Sequence, residues 1–311
     1  MPAVSGPLGA QDAYPLILPF LALPPEAPWS LQPGRFSLSW AATYGNVFHK
    51  DSMVVYPDLE VLIDAEVLEM RVEAAYGIAR GLEVAASLSL VGEYGGFLDG
   101  LIEGFHSLFW LPNGDRDHSP RNQFVFRVVR SGEVLVDLDQ PFCALRDLVL
   151  SAKWTLLDGQ LHSFGAALQG ALSLPIGSVE RFTSSGLPDA SLGLLASWHC
   201  SRFALYGGLR YLYLSEPDWG PVLGFRPHNL GFFACLEWAP SASMAWLLQA
   251  DGMTLPYLLP HPWLSGVSGM ISLGSRFRVG RRLLLETHLS EELFSFAALD
   301  VALSAEAKVL F

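Results

Sequence analysis

The sequence predicts an all-β fold: an antiparallel, up-and-down transmembrane β-barrel of about 12–14 strands, with one short amphipathic helix in a long loop. Three observations support this prediction. Apolar and polar residues alternate along most of the chain, and short connections alternate with long ones. No apolar run reaches the roughly 18–20 residues of a spanning helix, although 51% of the 311 residues are hydrophobic and only 16% are charged. Hydrophobicity without long apolar runs indicates strands with one apolar face.

The first 33 residues are rich in proline and lack the alternation. Their most apolar stretch, Pro15 to Pro25, reads PLILPFLALPP, which is too short and too interrupted to span a bilayer as a helix. We interpret residues 1–33 as a periplasmic or plugging segment and residues 34–311 as the barrel. Because no basic region precedes the apolar stretch, we expect the numbering to begin near the mature end of an exported chain.

Period-two alternation then recurs almost to the end of the chain. Such alternation is typical of a strand with one apolar and one polar face. It is found within residues 36–44, 69–76, 82–90, 148–156, 163–174, 203–213, 232–238, 271–279, 282–289 and 298–311. The hairpin Phe124–Leu138 is predicted either as part of the barrel wall or as an inward fold.

Connections of two lengths separate these segments. Short turns are predicted near residues 79–81, 131–132, 158–159, 200–201, 240–242 and 280–281, and longer connections near 46–58, 94–121, 139–144, 176–187, 215–228 and 254–265. Outer-membrane barrels have short periplasmic turns and long extracellular loops. Nothing in the architecture of a soluble β-sandwich requires short and long connections to alternate in this way.

Aromatic residues concentrate near the ends of the predicted strands. Trp154, Trp198, Trp238 and Trp246 lie close to the short turns, where we expect them to anchor the barrel at one membrane interface. Tyr44, Tyr94 and Trp219 lie near the long connections, where the second interface is expected.

The chain ends with the alternating segment ALDVALSAEAKVLF, residues Ala298 to Phe311. Closing a barrel pairs the last strand with the first and leaves no edge unpaired. The terminal aromatic Phe311, with Val309 and Leu303 on the same face, resembles the C-terminal signal that the barrel-assembly machinery recognises. We therefore expect this machinery and outer-membrane lipid as partners.

One long connection carries helical periodicity. The segment from Gly95 to Arg116 reads GGFLDGLIEGFHSLFWLPNGDR and predicts an amphipathic helix near residues 97–109. This loop helix, which contains Phe105 and His106, could plug the lumen, lie on the membrane or cap the mouth. We interpret His106 as a structural histidine.

Several segments together resemble a known family. These are GPLGAQDAYPLILPFLALPPEA, SWAATYGNVF, the loop helix, LRDLVLSAKWTL, LSLPIGSVERFTSSGLPDASLGL and the closing HLSEELFSFAALDVALSAEAKVLF. They are similar, in this order, to bacterial outer-membrane barrels grouped as domain of unknown function 3187. The resemblance implies an outer-membrane barrel in a Gram-negative cell and implies no substrate.

Charged residues on the polar strand faces are the candidate lumen lining. They carry both signs, so they could pair across the interior or line a hydrated pore. The candidates are Glu69, Arg71, Glu73, Lys153, Arg210, Glu237, Arg276, Arg278, Arg282, Glu286, His288, Asp300, Glu306 and Lys308. At about 12–14 strands the interior is too wide for side chains alone to fill, so we expect it to be hydrated or plugged.

No enzyme motif stands out. Nucleophile-elbow, Walker A, HExxH and dinucleotide patterns are absent, and a cluster of Glu286, His288 and Asp300 is better explained as paired lumen charge than as an acid–base site. The cysteines Cys143, Cys200 and Cys235 have no zinc-binding spacing. We expect no enzyme activity, cofactor or metal. The net charge of −12 argues against nucleic acid as a partner.

The sequence therefore favours a passive or gated channel for a small solute, apolar solutes included, plugged or narrowed by the N-terminal segment and the loop helix. A structural barrel that docks an envelope partner is the alternative. A lipid-acting outer-membrane enzyme is a third and weaker one.

Overall fold

The computed structural model describes residues 6–50, 58–110, 116–159, 162–259, 264–293 and 297–311. In these residues the chain forms β-strands, two short α-helices and one 3-10 turn at Arg116–His118. The strands are β1 (Phe36–Lys50), β2 (Leu59–Ala79), β3 (Leu82–Tyr94), β4 (Val125–Arg130), β5 (Glu133–Leu138), β6 (Phe142–Leu145), β7 (Leu148–Leu157), β8 (Phe164–Leu174), β9 (Ala190–Cys200), β10 (Phe203–Tyr213), β11 (His228–Ser241), β12 (Met244–Thr254), β13 (Val267–Val279), β14 (Leu283–Glu292) and β15 (Val301–Leu310).

Within the described residues, twelve strands close into an antiparallel barrel. The ring runs through β1, β2 and β3, then from β7 to β15 in chain order, and β15 returns to β1. The closing register pairs Ser37 with Leu310 and Asn46 with Val301. Past the last paired residue, the Phe311 amide donates to the Phe36 carbonyl at 2.8 Å. The predicted barrel is confirmed, and its strand number lies at the lower end of the expected range.

The two ends of the barrel differ in their connections. Turns after β2, β7, β9, β11 and β13 are short and lie at the end where β1 begins and β15 ends, here called the turn end. Connections after β1, β3, β8, β10, β12 and β14 are longer and lie at the opposite end, here called the loop end. This order is the one that outer-membrane barrels adopt.

The hairpin at Phe124–Leu138 lies outside the closed ring of twelve strands, and its Phe126 and Val128 are fully buried in the same cluster as Leu16 and Leu18. Its first strand, β4, pairs with Leu59–Asp64 of β2, while β3 pairs with the remainder of β2 from Glu66 onward. Since β2 is 21 residues long, it extends past its neighbour at the loop end. The hairpin continues the sheet there, above the barrel.

Two helices lie in connections at the loop end. Helix α1 spans Asp99–Phe109 and helix α2 spans Gly220–Leu223. Neither is long and apolar enough to cross a bilayer as a helix. The Glu66 carboxylate accepts the amides of Phe97 and Leu98 just before α1, which satisfies donors that the first turn of a helix leaves unpaired.

Alternation along each strand separates an apolar outer face from a polar inner one. Leu192, Leu209 and Leu303 are each more than 58% exposed on the outside, whereas polar residues of the alternate positions are buried inside. Trp154, Trp198, Trp238 and Trp246 lie outside near the turn end, with between 41% and 56% of each residue exposed. Their anchoring role stays a prediction.

Trp219 and Arg282 do not lie where the sequence predicts. Trp219 does not belong to an outer aromatic girdle: its ring packs 4.6 Å from that of Phe182 and 5.8 Å from that of Phe20, inside the loop end. Arg282 does not line the lumen, because β14 begins only at Leu283 and Arg282 lies exposed in the turn. All three cysteines have free thiols.

Candidate functional site in the barrel interior

Residues 6–32 run through the inside of the barrel as a U-shaped segment. At Ser30 the segment lies at the turn end, where the hydroxyl donates to the Gly81 carbonyl. It reaches the loop end near Leu21, whose amide donates to Asp189. It then turns back, and at Gly6 its amide donates to Glu237 near the turn end. Two passes of chain therefore occupy the interior.

Four arginines of the inner wall bind backbone carbonyl groups of this segment. Arg276 donates to Gly6 and Pro7, Arg71 to Gly9, Arg146 to Leu18 and Phe20, and Arg210 to Leu23 and Pro24, at donor–acceptor distances from 2.5 to 3.1 Å. A guanidinium group presents several donors in a fixed plane, so one side chain can hold two carbonyl groups.

Acceptors on the wall bind the amides of the same segment. Besides Glu237 and Asp189, Gln249 accepts the Leu8 amide at 2.9 Å, Glu286 accepts that of Gly9 at 2.8 Å, and Glu83 accepts that of Leu31 at 2.7 Å. Buried backbone groups without partners cost free energy, and these bonds replace water for an irregular segment that forms no strand in the described structure.

One ion-pair cluster joins the segment to β3, β7 and β8. Lys153 Nζ lies 2.6 Å from a carboxylate oxygen of Glu26 and 3.2 Å from one of Glu83. The amide of Gln169 donates to the other oxygen of Glu26 at 2.9 Å. Ion pairs that lose their water are stable only when further hydrogen bonds satisfy them, and Gln169 supplies one.

Apolar side chains of the segment fill the loop end of the interior. Leu16, Leu18, Phe20 and Leu21 are at most 3% exposed and belong to one buried cluster. The Phe20 ring lies 5.7 Å from that of Phe225. Full burial of such side chains contributes about 1.5–3 kcal/mol each relative to exposure in water.

The wall arginines are also neutralised by wall acids. Arg146 pairs with Glu69 at 2.9 Å, Arg276 Nε donates to Glu286 at 2.9 Å, and Arg71 lies 3.7 Å from Glu306. Arg210 differs, since among the described residues its hydrogen bonds go to the segment and its guanidinium lies 5.7 Å from the Phe233 ring.

The expected cluster of Glu286, His288 and Asp300 is not formed. Glu286 and His288 are neighbours at 3.5 Å, but the β14–β15 register places Glu306 and Ser304 opposite them. Asp300 lies before β15 at the loop end, where it contacts Arg116 and accepts the Phe48 amide at 3.1 Å. The antiparallel register therefore separates Asp300 from the other two.

His49, Glu292 and Asp300 bring possible metal-ligand atoms within 4.8 Å of one another. The Tyr14 hydroxyl lies 3.1 Å from His49 Nδ1, and the Arg116 guanidinium contacts Asp300. Because that guanidinium already places a positive charge on one of the three groups, we assign no metal here.

Two carboxyl groups near the loop end have raised pKa values. Burial raises the pKa of Asp189 from 3.8 to about 6, although the amides of Ser215 and Leu21 donate to it. Burial also raises the pKa of Asp147, which accepts the Gly177 amide at 3.1 Å. Desolvation disfavours the charged form of an acid, so both shifts follow from the apolar packing at the loop end.

Most of the predicted lumen residues have buried inner-face positions. Glu69, Arg71, Lys153, Arg210, Glu237, Arg276, Glu286 and His288 are at most 8% exposed. Glu73, Arg278, Glu306, Lys308 and Asp300 are partly exposed. Helix α1 includes Phe105 and His106, whose side chains lie outside the described part of the structure. The roles of all these residues stay predictions.

Sequence reasoning missed Arg146, although it makes three contacts in the interior. Strands β6 and β7 pair one after the other with β3, and the chain breaks between them at Arg146 and Asp147. Both consecutive side chains are buried, which strict alternation forbids. The interrupted pattern in CALRDL was the available signal. Gln249 was also missed.

Comparison with known proteins places the chain in a family. Residues 2–304 match the family described as "Protein of unknown function (DUF3187)". The chain belongs to this family. No curated protein matches this DUF3187 protein.

Solved outer-membrane barrels have a similar structure. An outer-membrane channel from Pseudomonas putida F1 aligns with a TM-score of 0.56 at 10% identity, covering 93% of the DUF3187 chain and 100% of the channel. The KdgM porin aligns at 0.46 and 6% identity, covering 88% and 99%. The CymD monoaromatic hydrocarbon channel aligns at 0.41 and 10% identity, covering 90% and 88%. At these identities the first comparison supports the barrel fold alone.

Proposed function

We propose that this DUF3187 protein is an outer-membrane channel for a small solute, and that residues 1–33 plug it. The observation that carries the proposal is the U-shaped segment, which is bound through its backbone by inner-wall residues on both passes. The apolar outer face and the order of turns and loops support a location in the outer membrane.

The width of the barrel supports the same proposal. A ring of eight strands is just filled by its own side chains, and wider rings leave space. Twelve strands without residues 6–32 would enclose a lumen lined by Arg71, Lys153, Arg210, Arg276 and their acidic partners. Such a lining is hydrated and suits a water-filled path.

The loop helix would narrow the same path from the loop end. Asp99, at the start of α1, pairs with Arg116 at 3.1 Å, and Arg116 also donates to Asn46 at 2.6 Å. These contacts tie the long connection after β3 to the end of β1. Through these contacts the start of helix α1 is tied to the wall at the loop end, and we infer that the helix narrows the opening there.

Single-channel conductance in planar bilayers tests the proposal. The full chain and a variant lacking residues 1–33 would be refolded in detergent, with heat-modifiable gel migration confirming that each barrel is folded. We expect the full chain to conduct rarely and the truncated chain to conduct steadily. A synthetic peptide of residues 1–33, added to the side of the turn end, should close the truncated channel, and a scrambled peptide should not.

Two results would contradict the proposal. Silence from both folded barrels would exclude a channel. Equal, steady conductance from both would support a channel but exclude a plug, and the segment would then have to leave the lumen open.

A further inference from the structure

The inner face of the barrel carries more acids than bases. Because side chains alternate between the two faces of a strand, the register assigns each charged residue of the twelve ring strands to one face. Among the described residues, and histidines apart, the inner face has nine acids and six bases, an excess of three negative charges. The acids are Glu69, Glu73, Glu83, Glu93, Glu237, Asp251, Glu286, Glu292 and Glu306, and the bases are Arg71, Lys153, Arg210, Arg276, Arg278 and Lys308.

The other charges of the interior do not offset this excess. Arg146 and Asp147, consecutive buried residues between β6 and β7, add one charge of each sign. Residues 6–32 contribute Asp12 and Glu26 and contain no lysine or arginine. Departure of the N-terminal segment therefore leaves a wall that is still negative.

The excess extends to the loop end of the barrel. Glu93 is the next-to-last residue of β3, and Glu292 is the last residue of β14, both at the loop end. None of the six inner-face bases lies in the last three residues of its strand at that end. A solute that enters from the loop end therefore meets carboxylates of the wall first.

These two carboxylates are not explained by ion pairing within the wall. Glu93 is 1% exposed, and its Oε2 has no hydrogen-bond donor in the described structure, as is also true of Oε2 of Glu292. A buried acid without compensating partners is unfavourable. By contrast, Glu286 is held by Arg276 and Glu69 by Arg146. Glu93 and Glu292 therefore do not serve to stabilise the plugged barrel.

The charges of the wall act across the whole lumen once water enters. A hydrated carboxylate is ionised at pH 7. Twelve strands spaced about 4.8 Å apart and tilted about 40° close into a ring with a backbone radius of about 12 Å. Since the screening length is about 10 Å at 0.1 M salt, no path through the lumen escapes the field of the wall.

We propose that the opened lumen selects cations, and that small cationic solutes are the solute class of this channel. Carboxylates that line a pore attract cations and repel anions, and an excess of one sign inside a low-dielectric wall raises the local concentration of the opposite sign. This inference rests on the channel function proposed above, and it assigns Glu93 and Glu292 to the selectivity of the loop-end entrance.

Reversal potentials in a KCl gradient test the selectivity. They would be recorded from the openings of the full chain and from the folded chain that lacks residues 1–33. Near 0.1 M salt we expect K⁺ to be at least about fivefold more permeant than Cl⁻. Near 1 M salt, where the screening length is about 3 Å, the ratio should approach one. Tetramethylammonium chloride in place of KCl should give the same sign, because the selection acts on charge.

A double variant tests the two loop-end carboxylates. Glu93→Gln combined with Glu292→Gln keeps the size of both side chains and leaves an excess of one negative charge, so the permeability ratio should fall at least about twofold. Asp137→Asn combined with Asp139→Asn is the matched control. It also removes two negative charges, from exposed positions on the β4–β5 hairpin and just after it, outside the ring, and should keep the ratio of the parent chain.

A preference for Cl⁻, equal permeability of the two ions near 0.1 M salt, or an unchanged ratio in the folded Glu93→Gln/Glu292→Gln barrel would overturn this inference and leave the channel proposal intact. Silence from both folded chains would contradict the channel proposal, and the selectivity inference would fall with it.

Discussion

Lys153 on β7 and Glu26 on the N-terminal segment form a 2.6 Å salt bridge inside the barrel. The pair lies between the wall and the second pass of the segment, and Glu83 and Gln169 complete its hydrogen bonding. The pair therefore helps to hold the segment against a charged residue of the lumen wall.

Glu26→Gln should loosen the segment. The substitution removes one charge from a largely buried pair, and we expect it to weaken the closed state by roughly 1.5–3 kcal/mol, the range for hydrogen bonds to charged groups. The open fraction in planar bilayers should rise. Arg282→Gln, an exposed change in the β13–β14 turn, is the control. If Glu26→Gln and Arg282→Gln had the same open fraction, the Lys153–Glu26 salt bridge would not stabilise the closed state.

Acidic pH should favour the closed state through Asp189. Its pKa is about 6 while it is buried with the Leu21 amide, against 3.8 in water, so the closed state binds the proton more tightly. Closure should therefore strengthen as pH falls from 7 to 4, by at most about 100-fold in the closed–open equilibrium.

Conductance recorded between pH 7 and pH 4 tests whether acid closes the channel. Asp189→Asn should flatten the profile, and Asp139→Asn, an exposed loop change, should leave it as in the parent chain. A profile in which acid opens the channel, or one that Asp189→Asn does not alter, would exclude Asp189 as the group responsible.

Brominated lipid should quench the fluorescence of outer tryptophans and leave that of inner ones unchanged. Trp246 is 43% exposed on the outer face, whereas Trp219 packs against Phe182 inside. In single-tryptophan variants reconstituted with brominated lipid, Trp246 fluorescence should be strongly quenched and Trp219 fluorescence should be nearly unaffected. Equal quenching of both would mean that the outer face does not contact lipid as expected for interface aromatics.

Removal of Phe311 should impair assembly. Its amide bonds to the Phe36 carbonyl at 2.8 Å, and the two rings lie 5.7 Å apart, where the last strand meets the first. In cells, deletion of Phe311 should reduce the heat-modifiable folded species in the outer-membrane fraction. Leu289→Ala on the outer face of β14 is the control. Equal yields from both variants would argue against a terminal assembly signal.

Several features of the interior could not be read from strand patterns. Alternation correctly indicates that Arg276 and Glu286 share the inner face, because side-chain direction depends only on neighbours along the strand. It does not indicate that Arg276 holds the carbonyls of Gly6 and Pro7, since that contact joins positions 270 and 269 residues apart. Arg146 was hidden for a related reason, because the break between β6 and β7 is set by pairing with β3.

The sequence by itself determined the barrel: period-two hydrophobicity, the alternating connection lengths and the aromatic strand ends are local patterns that specify wall, turns and loops. Only the tertiary structure decided the path of residues 6–32 and the separation of Asp300 from His288. These depend on strand register and on which surfaces meet across the closed ring. The irregular segment has no periodic pattern, because its backbone bonds to wall side chains and not to a neighbouring strand.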